Sequence, residues 1–347
     1  MTLRLLAAST LVLALAACSP DTPEPAADET SPQTANDAAD AAARDDVDEM
    51  TEEAAAEEVS EDTTDDADTD TDGLPAMDIH VAGLSWVDGI PSIGTPRNVT
   101  NHPGYDNQPA FVPGTRDFYY SAETEAGTTD VFRHNAADGS VTQITNTPGD
   151  GEYSPRLLAD GQSVAFLHQD SAGTQLITRS DLDGGNRTVM LDLHPVGYFA
   201  FNAEGTRVAM FVLTEPFTLQ VADLTTGDIQ IVHEDIGPAL YATTDGSGAI
   251  FTTPRDDGGA QARLYDFDSG EVEYLFDLPG QSQNYGLATA PDGLAGAFSS
   301  DDGMLLYRDA NSADWTPVAD LASFGLDGVT RIAVSDDGQR IAIVAAD

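Results

Sequence analysis

The chain has 347 residues, 60 acidic against 14 basic, for a net charge of −46, and it contains no Lys at all. That balance excludes a nucleic-acid partner and charge-driven adhesion to anionic lipid. The single cysteine, Cys18, excludes an intramolecular disulfide.

Residues 1–17 read as an export signal. Arg4 supplies a positive n-region, and Leu5 to Ala17 form an apolar run too short to span a bilayer. The run ends in Leu15-Ala16-Ala17-Cys18, small residues before a cysteine, which resembles the lipobox of bacterial lipoproteins. The resemblance implies cleavage before Cys18, diacylation of its thiol and acylation of the new amine. Ser19 rather than Asp follows the cysteine, which in that class implies sorting to the outer membrane. The other reading is an ordinary secretory peptide cut at Ala17. Several acyl chains make a stable anchor, and no other segment approaches about eighteen consecutive apolar residues. The expectation is a protein held on a membrane through Cys18, not one that crosses it.

From Cys18 to Gly73 the composition changes. Ser19–Gly73 holds 21 acids, one basic residue (Arg44) and no aromatic residue. Apart from Val47, Met50 and Val59 its apolar content is Ala and Pro, too little to offset chain entropy by burial. Residues 18–73 are therefore expected to be a lipidated cysteine followed by a disordered acidic tether. An ideal coil of that length spans about 40 Å, more with charge repulsion.

Residues 74–347 carry 39 acids and 12 Arg and read as the folded part. A repeat runs through them: PAFVPGTRDFYYS (109–121), PRLLADGQSVAFL (155–167), FAFNAEGTRVAMF (199–211), LYATTDGSGAIFT (240–252), LATAPDGLAGAFS (287–299) and IAVSDDGQRIAIV (332–344). Each is a short apolar strand, an Asp-Gly-like turn and a second apolar strand, and Asp-Gly predicts a two-residue hairpin turn. With Thr115, Gly161, Gly205, Gly246, Gly293 and Gly338 as equivalents, the spacings are 46, 44, 41, 47 and 45. Between copies lie two further strands, as in Asp130–Arg133 and Val141–Thr145. Four strands in a period near 45 predict an all-β, six-bladed propeller of antiparallel blades. The sixth copy stops after two strands. Asp78–Val81 and Arg97–Thr100, with a turn-rich stretch between them, match its missing outer half, so the N-terminal strands should complete the C-terminal blade and remove a bare sheet edge.

Thr-Asn, then Pro, an apolar residue, Asp-Gly and a strand ending in Phe, together with the linker Asp181-Leu182-Asp183-Gly184-Gly185, resemble the TolB-type propeller repeat. The resemblance covers about 270 residues and implies the fold; propellers host many functions. In that family an α/β domain precedes the propeller. Here the acidic segment stands in its place.

Signatures of chemistry are sparse. There is no Gly-x-Ser-x-Gly elbow, no His-Glu-x-x-His, no cysteine pair and no phosphate-cradling Gly-rich loop. The six histidines (His80, His102, His134, His168, His194 and His233) are scattered over different blades. The Asp-rich turns 181–184 and 335–338 lack the spacing and distal Glu of an EF-hand, and read as turns in which Asp bonds its own backbone.

The segments leading into the inner strands are more informative, because propeller ligands usually sit where those segments ring the channel. They carry Tyr105, Tyr153, Tyr198, Tyr241 and Tyr285, five of the ten tyrosines, with Asp106, Asn107, Glu152, Arg156, Asn284 and Arg331 alongside. Tyr offers a flat apolar face and a hydroxyl, suited to an extended peptide or a sugar. The same residues could equally be packing devices between blades. Two functions follow: a monomeric, non-enzymatic module that binds an envelope protein or peptide, or a calcium-dependent lactonase-like hydrolase with Asp106, Asn107, Glu152 and Asn284 as ligands. The second requires three or four side-chain oxygens converging on one point.

Overall fold

The structure, a computed structural model, describes residues 74–289 and 295–346. The signal segment, Cys18, the acidic tether and the Asp292-Gly293 turn of the fifth repeat lie outside the described residues.

Described residues begin with β1 (Met77–Val87), β2 (Ile90–Ile93) and β3 (Arg97–Asn98). Five four-stranded sheets follow in chain order. They are β4 (Asp106–Phe111), β5 (Phe118–Glu123), β6 (Thr129–His134) and β7 (Val141–Gln143); then β8 (Gly151–Leu157), β9 (Ser163–Gln169), β10 (Gln175–Asp181) and β11 (Thr188–Val189). The third is β12 (Val196–Phe201), β13 (Arg207–Val212), β14 (Thr218–Asp223) and β15 (Ile229–Glu234). The fourth is β16 (Leu240–Ala242), β17 (Gly248–Pro254), β18 (Ala260–Asp266) and β19 (Val272–Asp277). The fifth is β20 (Tyr285–Thr289), β21 (Ala295–Asp301), β22 (Met304–Asp309) and β23 (Thr316–Asp320). Each is an antiparallel meander. β24 (Arg331–Val334) and β25 (Arg340–Ala346) form only half of the sixth blade. β1 completes it, paired with β25 from Met77↔Ala346 to Gly83↔Arg340, and β3 lies outside β1. This is the expected six-bladed propeller, closed by its N-terminal strands.

Each blade's second strand is close to a continuous apolar run, because it is covered on both faces by neighbouring blades. Val164, Ala165, Phe166 and Leu167 are all fully buried. The buried side chains fall into six clusters, one at each blade junction; Ile79, Tyr105, Phe118, Tyr120 and Val344, for example, join the sixth blade to the first.

The Asp-Gly turns differ from expectation. In the repeats whose turns are described they are four-residue connections. The Leu158 N–H donates to the Ser163 carbonyl and the Gly161 N–H to the Leu158 carbonyl, both at 2.9 Å. Asp160 widens the loop by accepting from the N–H groups of Gln162 and Ser163, while Gly161 takes a φ of +63°. Thr115 is the true equivalent of Gly161, since its N–H donates to the Val112 carbonyl; the left-handed residue of that turn is Gly114. Two-residue hairpin turns sit elsewhere: Asp302-Gly303, both with positive φ, joins β21 to β22 through the Asp301↔Met304 pair, and another lies inside the stretch read as turn-rich. Asp88 and Gly89 both have positive φ and join β1 to β2 through the Val87↔Ile90 pair. Trp86 of that hairpin donates to the Gly338 carbonyl and packs edge-on against Phe298 and Tyr307, pinning the sixth blade to the fifth.

The trailing Thr-Asn motif also acquires a reason. Thr145 Oγ1 accepts the Val131 N–H and donates to the buried Asp130, whose other oxygen takes Gln143. Thr100 Oγ1 accepts the Ile79 N–H and donates to the buried Asp78, whose other oxygen takes Asn98. The same latch holds the outer strand of the first and of the closing blade.

Candidate functional site: the channel mouth

Six inner strands ring the channel, and their register sorts the side chains into layers. Arg331 and Tyr198 each stand four residues before the residue whose N–H closes the inner hairpin, Ser335 and Asn202 respectively. Arg156 and Tyr241 stand two residues before theirs, Leu158 and Thr243, one layer deeper. The Arg331 guanidinium connects the layers. It donates to the Tyr198 hydroxyl at 3.3 Å, the Tyr241 hydroxyl at 3.2 Å and Asn107 Oδ1 at 3.3 Å, and lies 5.2 Å from the Tyr198 ring centre. One side chain of the sixth blade thus reaches the first, third and fourth blades across the channel. Both arginines and both tyrosines keep partial solvent access, as side chains lining an open channel do.

The electrostatics follow from this crowding. Burial works against the Arg331 charge, but the facing oxygens of Tyr241, Tyr198 and Tyr105 favour it and hold its pKa above the ordinary value. Arg156 has weaker compensation. Burial pulls its pKa down to about 10, Tyr241 opposes the fall and Arg331 adds to it. Burial pushes the Tyr105 hydroxyl above the usual range, against the pull of Arg331. Among the described residues no carboxylate lies within 4 Å of either guanidinium; the ion pairs use Arg133, His168, Arg187, Arg207 and Arg255.

The remaining candidates separate. Tyr153 is half-buried and packs against the cluster between the second and third blades and the one between the sixth and first. Tyr285 is fully buried, donates to the Ile250 carbonyl at 2.7 Å and meets the Tyr241 ring edge-on; it packs the fourth blade against the fifth. Asp106 is buried beside Tyr120, whose pKa is raised by burial and then by that carboxylate. The backbone carbonyl of Asn284 accepts from Ser282 and Ser299. Glu152 lies at the junction of the first and second blades. It accepts from Thr147 (2.6 Å), Thr145 (3.3 Å) and Arg187 (3.0 Å) and touches His168 Nδ1 at 3.2 Å. Burial raises its pKa, Thr147 opposes this, and the neighbouring Asp130 adds to it. Asp106 and Glu152 thus face different neighbours, and no group of three or more His, Cys, Asp or Glu among the described residues is disposed to hold a metal. In the Asp-rich turns, Asp337 accepts from Ser335 and the Gln339 N–H, and Asp183 from the Gly185 N–H.

Sequence reasoning missed one pair. Gln108 and Ser154 occupy equivalent bulges with φ of +60° and +54°. The Gln108 side-chain carbonyl accepts the Ser154 N–H at 2.6 Å and the Ser121 hydroxyl at 3.0 Å, stitching the first two blades beneath the mouth. Left-handed Gln and Ser carry no compositional cue. A second concavity of about 380 Å³ opens beside the first blade, where Glu123, Glu125, Asp130 and His102 contribute to its walls.

No protein-family model matches the sequence, and no curated protein matches it. Among solved structures the chain is similar to a putative TolB from Agrobacterium tumefaciens, 16% identical with a TM-score of 0.56, over 79% of this chain and 99% of that one. It is similar to TolB from Acinetobacter baumannii, 18% identical with a TM-score of 0.48, over 77% of this chain and 63% of that one, so it spans less than two thirds of that protein. It also resembles a chain of a nidogen/laminin complex, 10% identical with a TM-score of 0.53, over 77% of this chain and 98% of that one. At such identities the likeness is one of fold, and by fold the described residues are a TolB-like six-bladed β-propeller.

Proposed function

We propose that this chain is a lipid-anchored envelope protein, monomeric and non-enzymatic, whose propeller binds a protein or peptide at the channel mouth. Cys18 would carry the anchor, residues 18–73 would tether the propeller to the membrane, and outer-membrane sorting would place it facing the periplasm. The observation that carries the binding reading is the constellation of Arg331, Tyr198, Tyr241 and Asn107. Arg331, Tyr198 and Tyr241 keep partial solvent access there, offering aromatic edges and hydrogen-bonding groups to the channel while the tyrosines also pack against the blade junctions and Asn107 is buried behind them.

Two measurements on the full chain test it. Cys18→Ala should lose acylation and leave the membrane fraction; a variant that still pellets with membranes after a high-salt wash sinks the anchor. A photo-crosslinking residue in place of Tyr198 should capture an envelope protein that the same residue at Val141, exposed on an outer strand, does not. Equal capture at both positions removes the channel mouth as the binding site.

A further inference from the structure

Of the folded part's 12 arginines, only Arg133, Arg187, Arg207 and Arg255 have a carboxylate within 4 Å among the described residues, so what sets Arg156 and Arg331 apart is that they stand unpaired in the channel. Arg133, Arg187 and Arg255 have close acidic partners in Asp117, Glu152 and Asp257. The two arginines of the channel have none among the described residues. Arg156 donates once, at 3.0 Å, to the carbonyl of its neighbour Pro155. Arg331 donates three times, always to neutral oxygens. Of five N–H groups on each guanidinium, Arg331 thus retains two and Arg156 four without a protein acceptor. Arg331 bonds Tyr241, which stands in the same layer as Arg156, so both guanidiniums line one stretch of the channel. Two guanidiniums lining one channel, with spare donors and no counter-ion, offer an incoming anion hydrogen bonds that the protein does not use.

Resting on the channel-mouth reading above, we infer that the ligand is an acidic peptide that presents a carboxylate to Arg156 and Arg331, with Tyr198 and Tyr241 flanking it. A carboxylate matches a guanidinium fork two bonds at a time, which suits a site with unused donors on two forks. A polyanion fits badly. The surplus of 27 negative charges on the surrounding domain repels an extended string of phosphates, whereas one or two carboxylates entering the channel meet the positive pair first.

The probe is a random heptapeptide library selected on the immobilised full chain and, in parallel, on Arg156→Gln, Arg331→Gln and Tyr198→Ala/Tyr241→Ala. Winning peptides are then made with each acidic residue as its amide and, separately, with an amidated C-terminus, which tells a side-chain carboxylate from a terminal one. Thermal melts confirm that each variant is folded, and Arg156→Lys, which keeps the charge, should retain part of the binding. The inference predicts that wild-type winners need one carboxylate, that neutralising it weakens binding about tenfold or more, and that this dependence disappears in Arg156→Gln or Arg331→Gln. Winners that bind through the tyrosines with no need of a carboxylate, or an acid preference unchanged in both arginine variants, overturn the carboxylate assignment and leave the mouth reading standing. No enrichment, or enrichment untouched by the double tyrosine variant, overturns both.

Discussion

Arg331, on the inner strand of the sixth blade, donates to the hydroxyl of Tyr198, 3.3 Å away on the inner strand of the third. In a ring of six these blades stand opposite each other, so this contact crosses the channel, and the bond to Tyr241 draws in the fourth blade.

Removing that side chain is expected to cost little. Arg331→Met deletes three hydrogen bonds to neutral partners that channel water can replace, so unfolding in urea should show a loss of about 1–2 kcal/mol. A double-mutant cycle with Tyr241→Phe should give a coupling of about 0.5–1.5 kcal/mol. A coupling near zero would mean that the two groups do not meet in solution.

Arg156 should behave in the opposite sense. Burial disfavours its charge and lowers its pKa to about 10. The guanidinium stays protonated, so the folded state carries that desolvation penalty at neutral pH. Arg156→Met should raise the melting temperature at pH 7. A variant less stable than wild type at pH 7 would show that Arg156 is neutralised within the protein.

The latches on the outer strands predict a matched pair of effects. Thr100→Val and Thr145→Val each leave a buried Asp short of a donor and a backbone N–H short of an acceptor. Each should cost about 1–3 kcal/mol. Deleting 74–101 removes β1 altogether, which exposes the edge of β25 and should produce aggregation or unfolding, whereas deleting 19–73 should leave the melting temperature unchanged. A stable, monomeric 102–347 fragment would contradict the closure.

Acid should destabilise the protein through its turns. Hydrogen bonds from the backbone N–H of Gln162 and of Ser247 lower the pKa values of Asp160 and Asp245, and bonds from Thr225 do so for Asp223. A depressed carboxylate contributes stability that is present above its unfolded pKa near 3.8 and lost as pH falls through the folded one. Melting temperature should therefore fall from pH 5 to pH 3, and less steeply in Asp160→Asn/Asp245→Asn. Glu152, whose pKa is raised, works against this trend by taking up a proton in the folded state first.

The strand order, the six-fold repeat and the closure by Asp78–Val81 and Arg97–Thr100 were legible in the chain, because each depends on local alternation and on turns that recur at fixed spacing. Even the latch left a trace in the Thr-Asn pairs. The fate of the five tyrosines was not legible. A strand presents alternate residues to opposite faces, so one bulge or one step of register exchanges channel for core. The irregularity between Val196 and Tyr198, and the left-handed Gln108 and Ser154, make such steps without any residue type that announces them. Tertiary structure alone therefore sent Tyr285 into the junction between blades and Tyr198 and Tyr241 to the channel. Only ring closure could bring Arg331 against a tyrosine 133 residues earlier in the chain.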